Sequence, residues 1–177
     1  MNESTTKPAR RKRYRGTHPR RFDERYKELA PELHPEIVAH VRAQGRTPAG
    51  MHVPVLLDEV LEQLALVPGA TVLDATVGYG GHAQAILERI RPGGRLLAMD
   101  VDGEVLEGTR ARLARASADV PVTVARSSFA GARKFLDEQQ LAGVDGLLAD
   151  LGVSSMQLDD PQRGFSYKHD GPLDMRL

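Results

Sequence analysis

Three aspartates stand where short apolar runs end: Asp74 after Thr71-Val72-Leu73, Asp100 after Arg95-Leu96-Leu97-Ala98-Met99, and Asp150 at the close of VDGLLAD. A carboxylate beyond a strand can accept hydrogen bonds from a ligand's hydroxyls, balance a cation, or hold a proton if burial raises its pKa. Asp is also a common helix cap and turn residue. Three of them along one edge argue for a site nonetheless. Between the first two lies a glycine-rich turn, Gly78-Tyr79-Gly80-Gly81-His82, which with Ala83 satisfies G-x-G-x-x-A and precedes Asp100 by 22 residues. Glycines let the backbone approach a ligand closely, and a helix start behind them presents free N–H groups. An acid at that distance is placed to hold ribose hydroxyls. Spacing alone therefore allows a nicotinamide-dependent oxidoreductase. Asp74 argues against it, because a carboxylate four residues before Gly78 would repel a diphosphate. A ligand with a ribose and a positive centre, such as S-adenosyl-L-methionine, suits the same residues better.

The elements that must position these residues follow from periodicity. Leu57, Val60, Leu61 and Leu64 recur at helical spacing, and Pro68-Gly69 stops that helix. Residues 71–75 form a strand, Ala83, Ile86, Leu87 and Ile90 mark a second helix, and Arg95–Asp100 forms the next strand. Helix over 104–116, strand over 120–124, helix over 128–140 and strand over 144–150 complete the alternation. Apolar strands alternating with helices predict an α/β fold, a Rossmann-like doubly wound parallel sheet with right-handed crossovers. Ligands bind beyond the carboxyl ends of such strands, at the point where strand order reverses.

The 177 residues carry 24 Lys+Arg against 24 Asp+Glu, yet the balance is uneven. Residues 1–50 are net positive by 6 and residues 51–177 net negative by 6. Lys7, Arg10, Arg11, Lys12, Arg13, Arg15, Arg20 and Arg21 form a basic block, and Glu3 is the one acid among the first 21 residues. Such a block repels itself and stays disordered until a polyanion neutralises it, so nucleic acid is the expected partner. The division expected is a basic, largely disordered extension over 1–50, with short helices broken at Pro31 and Pro35, and an α/β domain over 51–177. Zero cysteines exclude a disulfide scaffold, thiolate metal ligands and cysteine catalysis. The six histidines lack metal-ligand spacing, so no metal is expected. No apolar run approaches the roughly 20 residues that span a bilayer. A basic N-terminus without a signal peptide's apolar stretch makes a cytoplasmic protein the expectation.

A set of longer strings narrows the reading. His52-Val53-Pro54-Val55-Leu56-Leu57-Asp58-Glu59-Val60, Asp74 with Gly78-Tyr79-Gly80-Gly81-His82, the run DLGVSSMQLDD from Asp150 to Asp160, Arg163-Gly164-Phe165-Ser166, and GPLDMR from Gly171 to Arg176 occur in that order. Over about residues 51–177 the chain resembles the MraW (RsmH) family of S-adenosylmethionine-dependent methyltransferases, which modify N4 of a cytosine in small-subunit (16S) ribosomal RNA. The resemblance implies a class I methyltransferase fold, here lacking the family's helical insertion and final strands. It implies that Gly80, Gly81 and His82 line the methionine part of the cofactor, chiefly through backbone. Asp100 would hold the ribose, Phe129 would pack by the adenine, and Asp150 with Gln157 would close the donor side. The implied partner is small-subunit ribosomal RNA or the small ribosomal subunit.

From the residues alone, His82 could simply begin its helix, Phe129 could be core, and Gln157 could be an ordinary loop residue. The implied chemistry is displacement of a sulfonium methyl by a cytosine amine, which needs alignment more than a strong base. Asp150 is the side chain best placed to accept a hydrogen bond from that amine, but no catalytic residue is assigned. Phe165 and Tyr167 are candidates for stacking on an unstacked base. A catalytically silent module that binds RNA or the ribosome is the alternative from another class.

Overall fold

The computed structural model describes residues 56–117, 119–168 and 170–175, together with Glu36 and Pro54. The basic block, the short helices expected before residue 44 apart from Glu36, the linker at 44–50, and His52, Val53 and Val55 of the first string lie outside the described residues, as does Arg176.

Helix α1 (Leu57–Leu64) turns Leu61 into the core and leads through a tight turn into β1 (Thr71–Asp74). Helix α2 (Gly81–Ile90) buries Ala83, Ile86, Leu87 and Ile90, the apolar stripe its sequence spells out. Strand β2 (Arg95–Asp100) follows, and α3 (Gly103–Ala116) opens on an Asp102 side chain that accepts from the Glu104 N–H. Strand β3 (Val122–Arg126) runs two residues later than the periodicity suggests. The helix expected over 128–140 is a 3-10 turn, Phe129–Gly131, followed by α4 (Ala132–Glu138).

Strand β4 (Gly146–Leu148) is shorter than expected at both ends. Asp150 therefore lies two residues past the strand, a correction to its expected place at the strand's tip. Its N–H is donated not into the ladder but to Thr76 Oγ1 at 2.7 Å, which draws the chain off the sheet. Helix α5 (Ser155–Asp159) and a 3-10 turn, Pro161–Arg163, come next.

The four strands pair in parallel in the order β3-β2-β1-β4. The chain steps outward from β1 through β2 to β3, then returns to the other side of β1. With crossovers of one hand, outward and return connections must lie on opposite faces of the sheet. Side chains confirm this: Val72, Leu96 and Ala98 pack against α1, α2 and α3, while Leu73, Leu97 and Met99 pack against α4 through Phe135 and Leu136. Both faces are covered, so β1 and β2 read as continuous apolar runs rather than alternating ones. The reversal of order falls between β1 and β4, and that is where the chain opens.

Candidate functional site

A cavity of about 390 Å³ lies beyond the carboxyl ends of β1, β2 and β4. Its wall takes Thr76, Gly78 and Tyr79 from the glycine turn, Asp100 and Asp102 from the end of β2, Ser128 and Phe129 from beyond β3, and Asp150 to Ser154 with Gln157 from beyond β4. Four of the expected residues, Asp100, Phe129, Asp150 and Gln157, meet around this one space. Gly80, Gly81 and His82 are not among its lining residues.

The glycine turn is held from behind. Gly80 has φ +82, a left-handed conformation costly for a side chain, and a Cβ there would sit 3.3 Å from Thr109 Cγ2. The buried Thr109 hydroxyl donates to the Gly78 carbonyl at 2.6 Å. Arg112 donates from Nε to the Tyr79 carbonyl at 3.1 Å and from a terminal nitrogen to Thr109 Oγ1 at 2.8 Å. Its guanidinium also lies 5.6 Å from the centre of the Tyr79 ring. The turn's shape is thus braced by α3, whose Thr109 and Leu113 side chains lie where a Cβ on residue 80 would reach, which favours glycine there.

Asp100 sits at the meeting of β2 and the turn. Its Oδ2 accepts from the Gly78 N–H at 2.8 Å and its Oδ1 from the Asp102 N–H at 2.9 Å. A carboxylate has about four acceptor positions, so two backbone bonds orient it and leave capacity facing the cavity. The same contact weakens the nicotinamide reading, since the first N–H of the turn is engaged by a carboxylate rather than free for phosphate.

Asp74 is 1 % exposed and lies behind the cavity wall rather than in it. Burial pushes its pKa up to about 7, opposed by the Thr76 N–H bonded to Oδ1 and reinforced by the charges of Asp100 and Asp150. His82, the second residue of α2, has its pKa lowered by burial, with Asp150 acting the other way. Its Nε2 is buried and has no hydrogen-bond partner among the described residues.

Phe129 is 53 % exposed, so the core role open to it from sequence is not the one it takes; Phe135 and Leu136 of α4 are the residues buried against the sheet. Gln157 is no loop residue. It is the third residue of α5, and Ser154 and Gln157 cap each other: Ser154 Oγ accepts from the Gln157 N–H, and Gln157 Oε1 accepts from the Ser154 N–H at 2.7 Å. Its amide also donates to Asp102 Oδ2 at 2.8 Å. Tyr167 is exposed and Phe165 half-buried, and neither lines the cavity.

Sequence reasoning gave no role to Asp102, Thr76 or Arg163. Asp102 was within reach, because an Asp before Gly103-Glu104 at the start of a helical pattern is a cap signature. Arg163 was visible only as a letter in a string. Among the described residues, no group of three or more His, Asp or Glu could hold a metal ion, and no helix is long and apolar enough to cross a membrane.

The profile of the MraW methylase family matches residues 49–177. A ribosomal RNA small subunit methyltransferase H 1 from Agathobacter rectalis is 46% identical over 171 residues, 95% of this chain and 48% of the relative. One of the same name from Lachnoclostridium phytofermentans is 47% identical, with 95% and 46% covered. A ribosomal RNA small subunit methyltransferase H 2 from Alkaliphilus metalliredigens is 46% identical, with 100% and 50% covered. The chain spans about half the length of these relatives.

Proposed function

Because the chain belongs to the MraW methylase family, we propose that its cavity binds S-adenosyl-L-methionine and that the protein transfers a methyl group to N4 of a cytosine in small-subunit ribosomal RNA. The observation that carries this reading is the convergence of an oriented Asp100 carboxylate, an exposed Phe129 ring and the Asp150 carboxylate on one cavity.

The donor set fits the ligand. Asp100 retains acceptor capacity for two vicinal hydroxyls, and Phe129 offers an apolar face for a base. The Asp150 carboxylate makes that end of the cavity favour a cation. When bound, the cofactor supplies a methyl group on a sulfonium centre. For the acceptor, Asp150 is exposed at the rim and can accept a hydrogen bond from an incoming amine, holding it in line. The relatives' names carry small-subunit ribosomal RNA as the acceptor, cytosine N4 rests on the family resemblance of the sequence strings, and the basic block at 7–21 supports a nucleic-acid partner through phosphate neutralisation.

Calorimetric titration with S-adenosyl-L-methionine, with NAD as control, tests this directly. Saturable binding of the first alone, lost in Asp100→Ala, is the expected result. Absence of binding in a folded chain that still associates with small ribosomal subunits would overturn the reading in favour of a silent RNA-binding module.

A further inference from the structure

The wall that the segment after β4 contributes to the cavity is held on by little apolar burial. Among the described residues from 150 to 175, Met156 is the one apolar side chain in the buried core, whereas Leu151, Val153, Leu158 and Tyr167 are exposed. What fastens the segment is a polar clasp. Arg163 donates from its two terminal nitrogens to Asp102 Oδ2 at 2.9 Å and Oδ1 at 3.2 Å, and further to Glu104 Oε2 at 2.7 Å. Asp160 Oδ2 lies 3.9 Å from its Nε. The Asp102 side chain is 2 % exposed and that of Arg163 13 %. Burial alone would raise the Asp102 pKa, but the Gln157 and Arg163 hydrogen bonds, the guanidinium charge and the Glu104 N–H hold it below the usual carboxylate range.

Two features make this more than an ion pair on a surface. Gln157, itself a cavity residue, bonds the same Asp102 oxygen as Arg163. On its backbone side, Asp102 donates its N–H to Asp100 Oδ1. One buried carboxylate thus ties the wall beyond β4 to the residue proposed to hold the ribose.

We propose that the Arg163–Asp102 clasp is the latch of this cavity, and that Arg163 is a positioning residue that sets how tightly an adenosyl ligand is retained. This rests on the reading of the cavity as an S-adenosylmethionine site. Without the guanidinium, three carboxylates gather round an empty position, and a buried unpaired charge is strongly unfavourable. The segment relieves that penalty by lifting and letting water reach Asp102. The sheet and its helices, which contain neither Arg163 nor its segment in their apolar clusters, remain folded. Lys at this position retains the charge but serves as a point donor, unable to bridge two carboxylates in a planar fork.

The test is calorimetric titration of the chain, as wild type, Arg163→Met and Arg163→Lys, with S-adenosyl-L-homocysteine, alongside thermal melts and chymotryptic cleavage at Phe165 and Tyr167. The expected result is a Kd raised at least tenfold in Arg163→Met and raised less in Arg163→Lys. Cleavage should be suppressed by ligand in the wild type and unaffected by it in Arg163→Met. A merely structural role would lower the melting temperature and leave the Kd in place. A folded Arg163→Met with a Kd within twofold of wild type overturns the latch alone, whereas failure of the wild type to bind overturns the cavity reading and the latch with it. If Arg163→Met does not fold, Arg163→Lys decides: weakened binding supports the latch and unchanged binding overturns it.

Discussion

Asp74 should make the protein less stable as pH rises from 4 to 7, and Asp74→Asn should abolish that dependence. The carboxyl is buried, and its pKa is raised from 3.8 to about 7 in the folded chain. Between those values the unfolded chain releases the proton while the folded chain keeps it, so the unfolded state binds fewer protons. Stability therefore falls with pH, by about 1.4 kcal/mol per pH unit, and levels off above about 7, where both states are ionised. Over the whole interval the loss is about 4 kcal/mol. Asn keeps an oxygen acceptor for the Thr76 N–H at nearly the same volume, and its amide introduces an offset that does not vary with pH. Urea unfolding of both proteins from pH 4.5 to 8 isolates the effect, because the titrations of exposed carboxylates cancel in the difference. The stability of Asp74→Asn relative to wild type should climb steadily towards pH 7 and then stay level. Parallel stability curves, or a difference that shrinks as pH rises, would refute the reasoning.

Two further substitutions probe the frame that holds the site. Leu97→Ala removes a fully buried side chain from the face covered by α4 and should cost about 2–5 kcal/mol in urea unfolding, without altering the cavity's lining. Thr109→Val preserves shape but leaves the Gly78 carbonyl and an Arg112 donor without their partner, for a loss of about 1–3 kcal/mol in the same assay.

The doubly wound parallel sheet was legible because its signals are local and repeated. The helical spacing of Ala83, Ile86, Leu87 and Ile90 and the apolar runs before Asp74 and Asp100 follow from burial on one stripe or on two faces, which composition records directly. The chain's class, and the place of Asp100 at a strand's end, could therefore be anticipated without coordinates, whereas Phe129 and Gln157 were expected at the site only through the resemblance of longer strings. Element ends were harder. The helix expected over 128–140 begins as a 3-10 turn capped by Ser128, and β4 stops at Leu148 because the Asp150 N–H finds Thr76 instead of a neighbouring strand.

What tertiary structure alone decided is the partnership of charged groups far apart in the chain. Residues 102 and 163 are separated by 61 positions, and no periodicity links them; only the return of the chain to β4 and the fold of the segment beyond it bring the guanidinium onto the carboxylate. The state of Asp74 is decided in the same way. Its identity at a strand end was readable, but its proton is held by the desolvation that four packed strands and their helices impose, and desolvation is a property of the surroundings rather than of the residue. Sequence determined which groups the edge of the sheet would carry, because strand and helix periodicity is written residue by residue. Packing determined which of them face the cavity, which brace it, and which keep their protons.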